Sequence, residues 1–226
     1  MTTAKEYLHR LKEREPQIWK EPLEESTLTE QDLSEIEKGL GYALPMPYRA
    51  FLLSCKMQEN MTVFVSFCGD SYGNSWCDTF SREKNEYVPR PEHDIGPTVD
   101  FEWHNIQGDS GAEFLENLKE EQGGQFPCCF LEAGFIQVGE IYGYLTFPDL
   151  VNGGIVTIHQ ETVYDMTIVD GVDGENVQEL RDAMESELYI CKDFNDFLRF
   201  ICTGDFLDED EQKFPTKEEL ERDYSY

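Results

Sequence analysis

Residues 28–41 read LTEQDLSEIEKGLG and run directly into YALPMPYRAFLL at residues 42–53. Thr29 suits the N-cap of a helix because its hydroxyl can accept a hydrogen bond from a first-turn amide, and Asp32 stands at the third helical position. Gly41 comes where a left-handed residue commonly ends a helix. Between them, apolar residues recur at helical spacing on one face: Leu33, Ile36 and Leu40. The first stretch therefore predicts a short amphipathic helix.

Two prolines, Pro45 and Pro47, prevent this helix from continuing. Pro47 suits the first position of a new helix, where a backbone N–H would have no partner in any case. The new helix has an apolar stripe made of Tyr48, Phe51, Leu52 and Cys55. The sequence thus predicts two helices that meet at a proline corner.

This corner carries a family resemblance. The motif T-E-x-x-L-x-x-I-E-x-x-L-G, followed by L-P-x-x-Y-x-x-F-L, resembles the opening signature of the SUKH superfamily. The most specific positions are Leu40, Gly41, Leu44, Pro45, Tyr48, Phe51 and Leu52. The best known branch of this superfamily contains the fungal cell-wall assembly regulators, whereas its bacterial members are mostly immunity proteins for polymorphic toxins.

Later segments are similar to further signatures of the same family. FIQVGE at residues 135–140, with an aromatic strand that ends in Phe147-Pro148-Asp149, resembles the second signature, and the F-x-x-F-L pattern from Phe194 resembles the closing helix. Residues 157–159 read Thr-Ile-His where family members often carry Trp-Asp-His, so the chain departs from the pattern there. The resemblance covers residues 26–204.

The pattern of segments predicts an α+β fold, in which N-terminal helices and a C-terminal helix pack on a mainly antiparallel, multi-stranded sheet. Short strands bounded by Gly, Asn and Pro predict an antiparallel meander. The predicted strands are residues 61–68, 126–131, 135–138, 142–147, 154–159 and 162–168. The predicted helices are an N-terminal one ended or bent by Pro16, residues 112–119, residues 176–188, and a last one capped by Asp193.

The chain is predicted to form one domain, residues 1–204, followed by an acidic tail at residues 205–226. Within the domain, residues 69–112 are rich in Gly, Asn, Ser and Pro and are predicted to form a long loop-rich insertion, with short strands as an alternative. A connection of this length is often functional, which makes it a candidate for the binding surface.

Acidic residues dominate the composition. The chain has 226 residues, a formal net charge of -29 and a sequence pI near 4.3. The charge is not confined to the tail, because residues 29–204 alone hold 32 acidic and 10 basic residues. Such a charge opposes binding to nucleic acid or to an anionic membrane, so the expected partner is a basic or neutral protein.

The cysteines indicate a reducing compartment. Seven cysteines, an odd number without a C-x-x-C pair, stand mostly among apolar neighbours and are predicted to be reduced core thiols. No apolar run is long enough to span a membrane, and the N-terminus has no secretory apolar region. A cytoplasmic location is the expectation.

A search for reactive groups yields no convincing centre. The best metal-like cluster is Glu92, His93, Asp94, Asp100, Glu102 and His104, but no spacing places two of them on one helical face. Cys128 or Cys129 could act as a nucleophile with His159 or His104, but no activating arrangement is visible. We expect no metal, no cofactor and no enzymatic activity.

The sequence therefore favours a protein-binding function. By resemblance, the partner would be a basic toxin domain of the nuclease or deaminase class, bound and blocked by a monomer. The predicted contact residues are Asp70, Tyr72, Trp76, Asp78, Glu140, Tyr142, Tyr144, Asp149 and Glu161. One alternative is that these aromatic residues are core and the acids only keep the protein in solution. A second is a regulatory scaffold of the cell-wall assembly regulator type, and a third is an enzyme that uses the cysteine or His/Asp groups.

Overall fold

Helices and strands follow one another through the part of the chain that the computed structural model describes. These residues are 3–19, 23–57, 61–66, 78–81, 83–89, 98–104, 106–124, 130–141, 144–160, 174–186 and 189–203. Their helices are α1 (Ala4–Arg14), α2 (Glu30–Leu40), α3 (Met46–Ser54), α4 (Gly111–Gly124), α5 (Gly174–Ser186) and α6 (Phe194–Thr203), with a 3-10 turn at Pro16–Ile18.

The predicted proline corner is confirmed. The Asp32 N–H donates to the Thr29 hydroxyl at 3.3 Å, and the Asp32 carboxylate accepts the Thr29 N–H at 2.8 Å, so α2 begins with a reciprocal cap. Gly41 ends the helix with a φ of 76°. The next helix, α3, begins at Met46, one residue before the predicted Pro47, because Pro45 takes the N-cap position.

The described strands form one eight-stranded sheet. They are β1 (Met61–Ser66), β2 (Asp78–Ser81), β3 (Glu86–Pro89), β4 (Thr98–Trp103), β5 (Gly139–Ile141), β6 (Tyr144–Pro148), β7 (Ile155–His159) and β8 (Tyr189–Cys191). Their order is β1-β4-β5-β6-β7-β8-β2-β3, and all neighbouring pairs are antiparallel. The expected α+β class with an antiparallel sheet is confirmed.

The predicted loop-rich insertion contributes three of these strands. β2 and β3 form a hairpin at one edge of the sheet, and the chain then returns to the other side so that β4 lies between β1 and β5. On β4, Phe101 and Trp103 are buried whereas Glu102 is exposed. This alternation is the ordinary signature of a half-buried strand, and residues 98–103 carry it in their sequence, TVDFEW.

Two strand predictions differ from the structure. Residues 135–138 form an irregular segment beside β6, in which Phe135 bridges Asp149 and the N–H of Val138 donates to the Thr146 carbonyl at 2.9 Å, and the strand itself begins at Gly139. Residues 130 and 131 lie in a turn rather than at the end of a strand. The rest of the predicted strand at 126–131, the strand at 162–168 and the acidic tail fall outside the described residues.

The sheet is covered on both faces. On β7, Ile155 belongs to one apolar cluster and Val156 and Ile158 belong to another, and successive side chains of a strand point to opposite faces. Helices α1, α3 and α6 supply the first cluster, in which the Phe51 and Phe194 rings lie 5.0 Å apart. Helix α5 and the segment 130–135 supply the second cluster.

Helices α2 and α4 pack closely on each other and also contribute to the first cluster, through Leu33, Ile36, Phe114 and Leu118. The Leu115 side chain lies against Gly39, where a larger residue would collide with it. The Asp32 carboxylate also accepts the N–H of Gly111 at 3.0 Å, so one side chain caps α2 and holds the start of α4. None of the helices described above is both long enough and apolar enough to cross a bilayer.

Three cysteines lie in the described residues, and the side chains of all three are buried: Cys55, Cys191 and Cys202. This agrees with the predicted reduced core thiols at these positions. The other four, Cys68, Cys77, Cys128 and Cys129, fall outside the described part of the chain.

Candidate functional site

The structure describes only some of the nine predicted contact residues. Glu140, Tyr144 and Asp149 have described side chains, and Asp78 has a described backbone at the start of β2. The remaining five lie outside the described residues: Asp70, Tyr72, Trp76, Tyr142 and Glu161.

Glu140 and Tyr144 lie at neighbouring strand ends but on opposite faces of the sheet. Glu140 pairs across the strands with Leu145, so these two side chains share one face of the sheet. Tyr144 directly precedes Leu145 and therefore points to the opposite face. The Glu140 carboxylate accepts a hydrogen bond from Gln160 Nε2 at 2.7 Å. The Tyr144 ring packs edge-on against His159, with the ring centroids 4.8 Å apart. These two residues therefore do not form one continuous contact face.

Asp149 is not a surface residue, so its prediction as a partner contact is wrong. Its side chain is 0 % exposed and its carboxylate is engaged within the chain. It accepts hydrogen bonds from the N–H of Val151 at 2.9 Å and the N–H of Asn152 at 3.1 Å. It also accepts from Asn152 Nδ2 at 2.8 Å and from the Tyr189 hydroxyl at 2.7 Å. A buried carboxylate is tolerated when donors surround it in this way, and here it organises the turn between β6 and β7.

Arg181 of α5 neutralises this buried acid. Its Nη2 lies 3.2 Å from Asp149 Oδ2, and its side chain is only 12 % exposed. Its Nη1 donates to the carbonyl of Ala133, and its guanidinium stacks on the Phe135 ring at 4.8 Å from the centroid. One cation thus connects α5, the 130–135 segment and the β6–β7 turn.

Beside the segments held by this ion pair lies a small patch that we call the Tyr42–Val151 surface, formed by Tyr42, Glu132 and Val151 around the buried Gly134. The Tyr42 hydroxyl donates to the carbonyl of Glu132 at 2.7 Å. A Cβ atom placed on Gly134 would lie 3.2 Å from the Tyr42 ring and 3.3 Å from a methyl group of Val151, so both side chains flank this glycine. Val151 is 54 % exposed. The sequence reasoning missed this patch, because its members come from three distant segments.

A second feature that the sequence reasoning missed is the acidic face of α2 and α4. Each helix contains four acidic residues and one lysine. The exposed acids of this face are Glu30, Glu35, Glu113, Glu116 and Glu120. Residues 113, 116 and 120 follow helical spacing, so the sequence did contain a signal for one acidic stripe on α4.

Many cations of the described residues are paired with acids of the same chain. Seven lysines and arginines form such ion pairs: Lys5, Arg14, Arg49, Lys56, Arg181, Lys192 and Arg199. Arg49, for example, bridges Glu30 and Glu37. Each such pair is neutral as a unit, so the net charge of -29 comes from the acids that outnumber the cations.

The groups considered for catalysis or metal binding do not come together in the described residues. No set of three His, Cys, Asp or Glu side chains there has the arrangement of a metal site. Of the metal-like cluster, Glu92, His93 and Asp94 lie outside those residues, as do both candidate nucleophiles, Cys128 and Cys129. Burial raises the pKa of the Cys55 thiol to about 11, which keeps this thiol protonated at neutral pH.

Comparison of the chain with protein-family models, with curated proteins and with solved structures finds no match. The SUKH resemblance therefore stays a prediction from the sequence motifs.

Proposed function

We propose that this chain is a non-catalytic binding protein that captures and neutralises a basic toxin domain of the nuclease or deaminase class. The observation that carries the proposal is the net charge of -29, most of which belongs to residues 29–204 rather than to the tail. Acids spread over a folded body imitate the charge of nucleic acid, accelerate association with a basic partner and can cover a basic active site.

The geometry of the described residues supports this function in two ways. The acidic face of α2 and α4 is rigid, since Asp32 caps the first helix and also holds Gly111 at the start of the second. In addition, ion pairs such as Lys56 with Asp109, at 2.7 Å, are neutral as units and do not repel a basic partner. A fixed negative surface attracts a cationic domain without a large cost of rearrangement.

The motifs at residues 29–52 and 135–149 resemble signatures of the SUKH superfamily as a whole, and the acidic body favours its immunity branch as the model for this function. A cytoplasmic, monomeric protein that binds its toxin one to one is the form that we propose. The regulatory scaffold remains the second function that the same motifs suggest, and it differs in its partner: a scaffold would bind signalling proteins rather than block a toxin.

The test uses the products of the two genes that flank the gene for this chain, purified with inactivating substitutions where they are toxic. We expect one of them to be a basic protein that binds this chain and to lose toxicity when the two are co-expressed. The association rate should fall about tenfold or more between low and high salt, because long-range attraction between charges is screened.

A variant with Glu116→Lys and Glu120→Lys lowers the negative charge of α4 and should slow this association further. Its matched control, Glu116→Gln with Glu120→Gln, removes the charges without reversing them and should have about half of the effect on the logarithm of the rate. Failure of both flanking gene products to bind would overturn the proposed function. Binding with a rate that does not depend on salt would overturn the role of charge.

A further inference from the structure

We infer that the partner docks on the Tyr42–Val151 surface, and that it does so as a cationic protein domain that brings an apolar contact to Val151 and a lysine or arginine to Glu132. The inference rests on the proposed function and deepens it, because it names the contact surface and the chemistry that the partner must present there.

The patch is built from distant parts of the chain. Tyr42 follows α2, Gly134 lies in the segment before β5, and Val151 lies in the β6–β7 turn, so three separate segments converge. The 2.7 Å hydrogen bond from the Tyr42 hydroxyl to the Glu132 carbonyl holds the first two together. The N–H of Leu150 donates to the Gly134 carbonyl at 2.9 Å and holds the β6–β7 turn to the segment before β5.

The patch stands on a well-supported turn. The turn that carries Val151 is held from beneath by the buried Asp149, which accepts the backbone N–H groups of Val151 and Asn152. Asp149 is in turn held by Arg181 and Tyr189. A contact residue on such a supported turn loses little freedom when a partner binds, which raises the affinity that a given contact can provide.

The patch exposes an apolar side chain to solvent. Among the described residues, the large apolar side chains that face solvent are Met46 at 74 % and Val151 at 54 %. A single exposed apolar residue is ordinary, but Val151 and the partly exposed Tyr42 pack against the same buried glycine, Gly134, and so stand close together. Aromatic and aliphatic side chains that are grouped in this way are typical anchors of protein interfaces.

Charge identifies the occupant. The three segments that build the patch, residues 41–44, 130–135 and 149–154, contain one exposed acid, Glu132, and no lysine or arginine; their other acid, Asp149, is buried. Arg181, which reaches the 130–135 segment, is neutralised by Asp149. A second copy of this chain would bring another charge of -29 to the patch, which opposes self-association, whereas a cationic domain is attracted.

The experiment replaces Val151 by a photo-crosslinking amino acid in the full chain, in the cells that naturally produce it. Met46 and Glu116 receive the same replacement as controls, the first as the other exposed large apolar residue and the second on the acidic face of α2 and α4. Captured proteins are identified by mass spectrometry. We expect the crosslinker at position 151 to capture a protein with a basic calculated pI, and the crosslinker at position 46 not to capture that protein.

The captured protein is then purified and its affinity for two variants is measured. Val151→Arg and Met46→Arg change the net charge equally and alter exposed side chains, so both should fold. We expect Val151→Arg to raise the Kd about tenfold or more and Met46→Arg to raise it less than about threefold.

Each other outcome decides against the inference. Capture of a basic protein from position 116 but not from 151 would overturn the docking surface while the proposed function stands. Capture of only a second copy of this chain at 151, or equal losses of affinity from both arginine variants, would also overturn it. Capture of no protein from any of the three positions would overturn both the docking surface and the proposed function.

Discussion

Removal of the Asp149 carboxylate is the sharpest test of how this fold is held. In Asp149→Ala, the Arg181 guanidinium keeps its position with a side chain only 12 % exposed, but it loses the acid that neutralises it. The N–H groups of Val151 and Asn152 and the Tyr189 hydroxyl lose their acceptor at the same time. Breaking a buried ion pair by removing one partner costs about 3–5 kcal/mol, so we expect the free energy of unfolding to fall by that amount.

A loss of this size is a large fraction of the total stability of an ordinary domain, which is about 5–15 kcal/mol. Tyr189→Phe removes one hydrogen bond to the charged group and should cost less, about 1.5–3 kcal/mol. The double variant Asp149→Ala with Arg181→Met leaves no unpaired cation, and it should therefore be more stable than the sum of the two single losses implies.

Urea unfolding, followed by tryptophan fluorescence and by circular dichroism, measures these differences. Glu25→Gln is the matched surface control, because it breaks the Lys5–Glu25 pair, in which both side chains are well exposed, 43 % and 81 %. We expect no measurable change in its midpoint. A midpoint for Asp149→Ala that equals that of the control, or strictly additive losses in the double variant, would refute the structural role that we assign to this buried acid.

Three further predictions concern local features. Burial raises the pKa of the Cys55 and Cys202 thiols, so neither should react with iodoacetamide at pH 8 before urea is added; peptide mass spectrometry would reveal early labelling that contradicts this. The pKa of Asp32 is lowered first by the Thr29 hydroxyl and then by the Gly111 N–H, so its stabilising effect is present above the ordinary aspartate pKa and is lost as pH falls through the lowered value. The difference in unfolding free energy between Asp32→Asn and the unmodified chain should accordingly shrink on acidification, and a constant difference would contradict the linkage. Gly139→Ala places a Cβ in collision with the Phe101 ring, so it should destabilise the chain by about 1–3 kcal/mol in urea unfolding, and an unchanged midpoint would show that this strand can shift.

Part of the candidate surface was within reach of sequence reasoning. The exposed acids of α4 follow helical spacing, and the β6–β7 turn was recognised from its glycines. The reasoning selected Asp149 in that turn as the contact, whereas the structure buries Asp149 and exposes Val151 two residues later. An acid is usually exposed and a valine usually buried, so residue type alone pointed in the wrong direction at both positions.

Local interactions are what the sequence determined by itself. The helices of the proline corner depend on a cap, a glycine and two prolines within the same stretch of about 25 residues, so their positions could be derived without knowledge of the rest of the chain. The acidic character of the body and the burial of Cys55 followed from composition and from the neighbouring residues in the same way.

Long-range partners are what only the tertiary structure decided. Asp149 is buried because Arg181 and Tyr189, more than thirty residues later, come to neutralise it and donate to it. The strand β4 is internal because it pairs with both β1 and β5, one of which follows it by more than thirty residues. Periodicity along a chain reports which side of an element is apolar, but the identity of the element that covers that side depends on how the whole chain folds.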